Sequence, residues 1–433
     1  MKKIFFTILV TLSFSLSSHS NDQIKYTISG ISSGGFMANQ MATIFSSQFS
    51  GVGTVAGGFY YCAQDYLPKQ IKKDASTIGT GNLFLFRPIG TPPWFVPQKG
   101  NPLYQSSICM ESPEEASLPN NYLKANAEKK LVDPLSHLSD QKVFIYQGQS
   151  DSTVKVQMQE RLKSYYLSVG VKESNIATLT GKGSHNFPTD RQDGIDCNQS
   201  KVPYIASCDL NLASILLAHL FDDKMIRTEI NKSHIYVVDQ TTNFLNLSKK
   251  ETDWVTPVPS IAPYGYLYAN DKCLANPKSC HMHVALHGCK MTDSFNDDFQ
   301  TQYQNQVLLY KMVSMRSKKT AIFPFLPVIE DKTNNYGLLK FVLDSGYADY
   351  AEENDLMILF PQTWITENNF PYNPNGCWDW YGWTGENYAT NTGSEAKWLM
   401  DFIHSIAVNP KKHIMQVRPK FNLVEKNFPR KSF

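Results

Sequence analysis

Gly30-Ile31-Ser32-Ser33-Gly34 sets one serine between two glycines in the pattern G-x-S-x-G. Such a serine can stand on a sharp turn between a strand and a helix, because small neighbours let the chain bend and leave the hydroxyl exposed. The following helix N-terminus favours negative charge developing beside it. Only Ser32 has glycine at both flanking positions, since Ser33 has Ile31 on one side. A serine nucleophile needs a base, and the base needs an acid to orient it. Asp151, in Gly148-Gln149-Ser150-Asp151, and His185, in Gly183-Ser184-His185-Asn186, are the candidates. The order Ser, Asp, His is that of α/β-hydrolases. His219 is the rival histidine, but its apolar surroundings read as a core helix over 210–221.

An acyl-transfer site also needs donors for the oxyanion. His283-Val284-Ala285-Leu286-His287-Gly288-Cys289 reads as a strand ending in His-Gly, the ending of the oxyanion loop in lipases and esterases. That loop ordinarily precedes the nucleophile, whereas here it follows His185. Circular permutation of the sheet accounts for the order, because domain termini often lie close together. The backbone N–H groups of Ser33 and Cys289 would then face the carbonyl oxygen, each donor worth about 2.7–4 kcal/mol in rate. Two other classes compete. His281, His283 and His287 alternate onto one face of a strand and could hold zinc in a metal-dependent hydrolase, although no carboxylate sits among them. A non-catalytic secreted binding protein on the same fold is the other.

Elements able to position these groups follow from periodicity. Strand-like 25–28 runs into the serine turn, and Phe36, Met37, Met41, Ile44 and Phe45 then recur at helical spacing. A buried strand follows over 52–58, so strand, turn, helix and strand form a βαβ unit and imply a parallel sheet. Further strands are expected at 143–146, 176–179, 283–286 and 356–360, and a helix at 157–166. The fold class is α/β, with a mostly parallel sheet flanked by helices. The segments at about 66–107, rich in Pro and Gly, and at about 301–339 read as surface insertions.

Lys2 and Lys3, the apolar run 4–16 and the small residues at 17–20 have the order of a secretory signal peptide. The run is shorter than the roughly 20 residues a membrane span needs. Residues 21–433 are then expected to form one catalytic domain, exported to the periplasm or outside the cell, and monomeric. Charged residues are 18% of the chain and the net charge is +2, so no strong field favours nucleic acid or an anionic membrane. Eight cysteines suit disulfides in an exported chain. Short separations favour Cys197–Cys208 and Cys273–Cys280, while spacing leaves the pairing of Cys62, Cys109, Cys289 and Cys377 open.

Several motifs act together here. Ser29-Gly30-Ile31-Ser32-Ser33-Gly34-Gly35, Ala56-Gly57-Gly58-Phe59-Tyr60-Tyr61-Cys62, His185-Asn186-Phe187-Pro188-Thr189, Leu286-His287-Gly288-Cys289, Phe360-Pro361-Gln362 and Asn375-Gly376-Cys377-Trp378-Asp379-Trp380 span most of the chain. In combination they resemble polyhydroxybutyrate (PHB) depolymerases, and more narrowly the branch with a circularly permuted catalytic domain. The resemblance implies a secreted serine esterase acting on poly(3-hydroxybutyrate) or its oligomers, with no cofactor and no metal. It implies Ser32, Asp151 and His185 as triad and the amides of Ser33 and Cys289 as oxyanion hole. It further implies a Cys289–Cys377 disulfide fixing the oxyanion loop, and Trp378 as a wall of the cleft. The two insertions exceed what the family leads one to expect. No linker or separate substrate-binding domain is evident, so soluble oligomers or another carboxylic ester are as compatible with the chain as solid polymer.

Overall fold

The computed structural model describes residues 26–63, 102–240, 260–262, 264–292, 340–365 and 373–415. The signal-peptide segment 1–20, the insertion expected at 301–339 and that at 66–107 as far as residue 101 lie outside the described residues. Strands in chain order are β1 (Tyr26–Ile31), β2 (Phe49–Val55), β3 (Lys142–Gly148), β4 (Ile176–Gly181), β5 (Phe187–Thr189), β6 (Ile195–Asp196), β7 (Ile205–Ser207), β8 (Ile235–Asp239), β9 (Tyr264–Tyr268), β10 (His281–Leu286) and β11 (Leu356–Phe360). Eight of them form one sheet in the order β4-β3-β2-β1-β10-β11-β9-β8, and β5, β7 and β6 form a small second sheet.

From β4 through β11 every neighbouring pair is parallel. β9 runs antiparallel to β11, and β8 antiparallel to β9. The first strand in sequence therefore sits at the centre of the sheet. β10 pairs with it directly, Gly30 opposite Leu286, although β2 to β9 lie between them in the chain. Placing 235–360 ahead of 26–181 would restore an order in which the strand leading to Cys289 precedes the strand leading to Ser32. This is the circular permutation expected from the chain order, in an α/β-hydrolase-like sheet.

Both faces of this sheet are covered, which is why β1, β10 and β11 are buried almost throughout. The period of two divides each strand between two cores. Val143 and Ile145 pack on one face with helix α1 (Ser33–Ile44) and the helices Met158–Ser168 and Ser394–Val408. Phe144 and Tyr146 pack on the other, with the helix Leu212–Phe221. Each fully buried side chain of this size contributes about 1.5–3 kcal/mol of transfer free energy. The cores thus hold rigid the strand ends from which the site is built.

Four disulfides join Cys62 to Cys109, Cys197 to Cys208, Cys273 to Cys280 and Cys289 to Cys377. Among the described residues no cysteine is free, and no helix is long and apolar enough to cross a membrane.

Candidate active site

Ser32 is the single residue between β1 and α1, and its backbone has φ 55° and ψ −124°. A non-glycine residue pays for that left-handed conformation, so surrounding structure must impose it. Ser32 N–H donates to Val55 O at 2.9 Å, and Phe36 N–H donates to Ser32 O at 3.0 Å. The turn closes tightly because Gly30 and Gly34 meet: a Cβ on Gly30 would lie 2.3 Å from the Gly34 carbonyl. A Cβ on Gly34 would lie 2.4 Å from His287 O. Both glycines are therefore obligatory, the first for the turn and the second for the approach of α1 to the end of β10.

Asp151 follows β3, and His185 lies between β4 and β5. His185 Nε2 is 2.9 Å from Ser32 Oγ, and its Nδ1 is 2.8 Å from Asp151 Oδ2. The Asp151 carboxylate is buried and accepts further bonds from the N–H groups of Thr153 and Val154 and from Gln147 Nε2. Four donors thus compensate its desolvation. The His185 loop is held from below by the segment closed by Cys197–Cys208. Ser184 N–H donates to Cys197 O, His185 N–H to Ser200 Oγ, and Phe187 N–H to Tyr204 O. Chain order and loop position had singled out Ser32, Asp151 and His185, and the structure brings the three into one hydrogen-bonded line.

A cleft of about 300 Å³ opens on Ser32 and His185. Ser33 and Cys289 line it, as do the apolar Ile31, Phe36, Met110, Met291 and Trp380. The loop carrying Cys289 is pinned at both ends: Lys290 N–H donates to Asn375 O at 2.7 Å, and Cys289 is bonded to Cys377. A Cβ on Gly288 would lie 3.2 Å from Ser32 Cβ, so this loop packs directly on the serine turn.

Trp378, expected as a wall of the cleft, does not line it. Its ring is wholly buried and its indole N–H donates to His287 O at 3.0 Å, bracing the Cys289 loop from behind. Trp380, two residues on, reaches the cleft and stacks on Phe36 with ring centroids 3.9 Å apart. The intervening Asp379 turns inward, accepting from the N–H groups of Gly382, Trp383 and Thr384, while its own N–H donates to Glu395. Burial raises the Asp379 carboxyl to about 6 and pushes Glu395 well above its ordinary value.

The three histidines of the zinc alternative do not converge. His281 is exposed. His283 is fully buried, with Nδ1 2.8 Å from Thr27 Oγ1 and Nε2 2.8 Å from Ser29 Oγ. His287 donates from Nδ1 to Gly288 O, and its Nε2 accepts from Thr363 N–H. Desolvation lowers His283 to about 3 and His287 to about 4, so both stay neutral near pH 7. No group of three potential metal ligands occurs among the described residues. His219 packs near Phe144 and reaches Asn175 O, away from the cleft.

Periodicity and motif reading passed over Ser200, Tyr204 and Lys290, and took Trp378 rather than Trp380 as the wall. Tyr204 and Ser200 lie in a segment of very short strands with no apolar run to mark it. Trp378 and Trp380 are two apart, so spacing alone gives no choice between them.

Sheet order, serine turn and His–Asp line define a protein of the α/β-hydrolase class with a Ser–His–Asp constellation. No family model matches the chain. It is 26% identical over 380 residues to a poly(3-hydroxybutyrate) depolymerase of Delftia acidovorans, covering 86% of this chain and 58% of that protein. It is 24% identical over 372 residues to a polyhydroxybutyrate depolymerase of Talaromyces funiculosus, covering 83% of each. Among solved structures it is similar to the PHB depolymerase of Penicillium funiculosum and to a serine-to-alanine PHB depolymerase complexed with an R3HB trimer. Each matches with a TM-score of 0.62 and 23% identity, over 89% of this chain and 96% of the other. Over most of its length the chain is thus similar to PHB depolymerases, and it shares the fold of the solved ones.

Proposed function

We propose that this chain is an exported serine esterase that hydrolyses poly(3-hydroxybutyrate) or its oligomers through an acyl-enzyme. The observation that carries the reading is the continuous line Ser32–His185–Asp151 at the floor of an apolar cleft. His185 removes the Ser32 proton as Oγ attacks the ester carbonyl, and Asp151 stabilises the imidazolium. The amides of Ser33 and Cys289 bind the oxygen as it gains charge. The ester C–O bond then breaks, and the proton passes from His185 to the leaving alcohol. Water, activated by the same histidine, releases the 3-hydroxyacyl group and regenerates Ser32.

Phe36, Met110, Met291 and Trp380 supply apolar walls suited to the methyl and methylene groups of hydroxybutyryl units. Export is supported by the signal-like segment at 1–20 and by four disulfides, which persist in oxidising compartments.

The test is hydrolysis of p-nitrophenyl butyrate and of 3-hydroxybutyrate oligomers by wild type and Ser32→Ala, each with and without EDTA. Activity lost in the variant and indifferent to EDTA supports the reading, and oligomer cleavage adds the substrate class. Activity that survives Ser32→Ala and is abolished by EDTA would overturn it.

A further inference from the structure

Lys290 follows Cys289 directly, and it is the one lysine or arginine among the described residues lining the cleft. No carboxylate stands among those lining residues to neutralise it. Its backbone is left-handed, with φ 62°, at a position fixed by the Lys290–Asn375 bond and the neighbouring disulfide. Glycine or asparagine takes such a conformation at less cost, so a long cationic side chain there is not favoured by the turn itself. It sets a cation beside described lining residues that are otherwise apolar or neutral, in a concave site.

We propose that Lys290 recognises the terminal carboxylate of short 3-hydroxybutyrate oligomers, which makes the cleft selective for oligoesters ending in a free acid. The inference rests on the esterase reading above. In a 3-hydroxybutyrate oligomer the alcohol released on acylation belongs to the acid-terminal fragment, so the leaving group itself carries the carboxylate. When Ser32 Oγ forms its bond to the acyl carbon, the ester C–O bond breaks and His185 protonates the departing oxygen. The departing product is then a hydroxy acid, its carboxylate already ionised, and the proposal seats that carboxylate against Lys290. An ester bond in the interior of a long polymer has no such charge beside it. The cleft therefore favours soluble fragments over chain interiors.

The experiment compares kcat/KM for the free-acid dimer of 3-hydroxybutyrate with that for its methyl ester, in wild type, Lys290→Gln and Lys290→Arg. Wild type is expected to favour the free acid. Lys290→Gln should reduce that ratio about fivefold, the size of one partly exposed charge pair, mainly through KM, and Lys290→Arg should retain it. Raising the salt concentration should lower the wild-type ratio toward that of Lys290→Gln. Thermal melts establish that each variant is folded. A ratio unchanged by Lys290→Gln would overturn the inference while leaving the esterase reading intact. Wild type that cleaves neither substrate would overturn both.

Discussion

His185 and His283 each have both ring nitrogens engaged, yet only one of them faces a carboxylate. His185 stands at the open cleft, with an ionisable carboxylate on Nδ1 and the serine hydroxyl on Nε2. His283 lies inside the sheet between Thr27 and Ser29, and the Ser29 hydroxyl bonds on to Tyr347. Its partners are neutral hydroxyls, and burial holds it at about 3. The ring of His185 has a carboxylate oxygen 2.8 Å from Nδ1, whereas the ring of His283 has only hydroxyl partners. Hydrogen bonds alone thus do not make a histidine a base; the carboxylate behind it does. His283 instead ties β1 to β10, the two strands whose ends carry Ser32 and the Cys289 loop.

Breaking the comparison at its reactive end gives the largest expected effects. Ser32→Ala or His185→Ala should lower kcat by about 10⁶-fold. Asp151→Asn should cost about 10⁴-fold, because an amide leaves the ring without its charged partner and in the wrong tautomer. Titration of a hydrolysis time course with each purified variant reads both, and a loss under tenfold in Asp151→Asn would show that the carboxylate is not needed. Replacing Cys289 and Cys377 together by serine releases the oxyanion loop from the wall behind it. A fall in kcat of about 10²–10³-fold is expected, with KM changed less. Unaltered kcat would mean that Trp378 and the Lys290–Asn375 bond suffice to hold the loop.

At the structural end, His283→Leu should leave kcat nearly unchanged and lower stability. It strands the Thr27 hydroxyl inside the sheet and leaves Ser29 with Tyr347 as its remaining partner, at about 1–3 kcal/mol. Denaturant unfolding measures the loss. A variant as stable as wild type but catalytically dead would reverse the roles assigned to the two histidines.

How far the sequence discloses this division depends on which signals are local. The strands that carry the reactive groups were legible because they are apolar runs ending in turns, as Lys142–Gly148 and His281–Leu286 show. Ser32 was legible because two glycines mark its turn. β8 and β9 were not, since Tyr264–Tyr268 reads as scattered tyrosines until a neighbouring strand covers it. The choice between Trp378 and Trp380 turns on Asp379, whose carboxylate caps three amides further along the chain. A two-residue spacing contains nothing of that. The burial of His283 was equally hidden: its alternation with His281 suggested a ligand face, and only the pairing of β10 with β1 supplies the hydroxyls that occupy its nitrogens.

The smallest effect sharpens the contrast through pH. His283 is lowered to about 3 in the folded chain, against about 6.5 for an unperturbed histidine. Between those values the unfolded chain binds a proton at this site and the native chain does not. Stability from the buried neutral ring is therefore complete above about pH 6.5 and is lost as pH falls toward 3. His283→Gln keeps a polar group between Thr27 and Ser29 but removes the titration. Its stability should decline less steeply with acid than that of wild type, by at most about 1.4 kcal/mol per pH unit. His287 contributes with the same sign, and Asp379, raised to about 6, with the opposite one. Both are present in wild type and variant alike, so they cancel in the difference. Denaturant unfolding at several pH values between 4 and 7 gives the two slopes. Coincident slopes would mean that the ring takes up its proton in the folded sheet, and the distinction drawn from its neutral partners would fail.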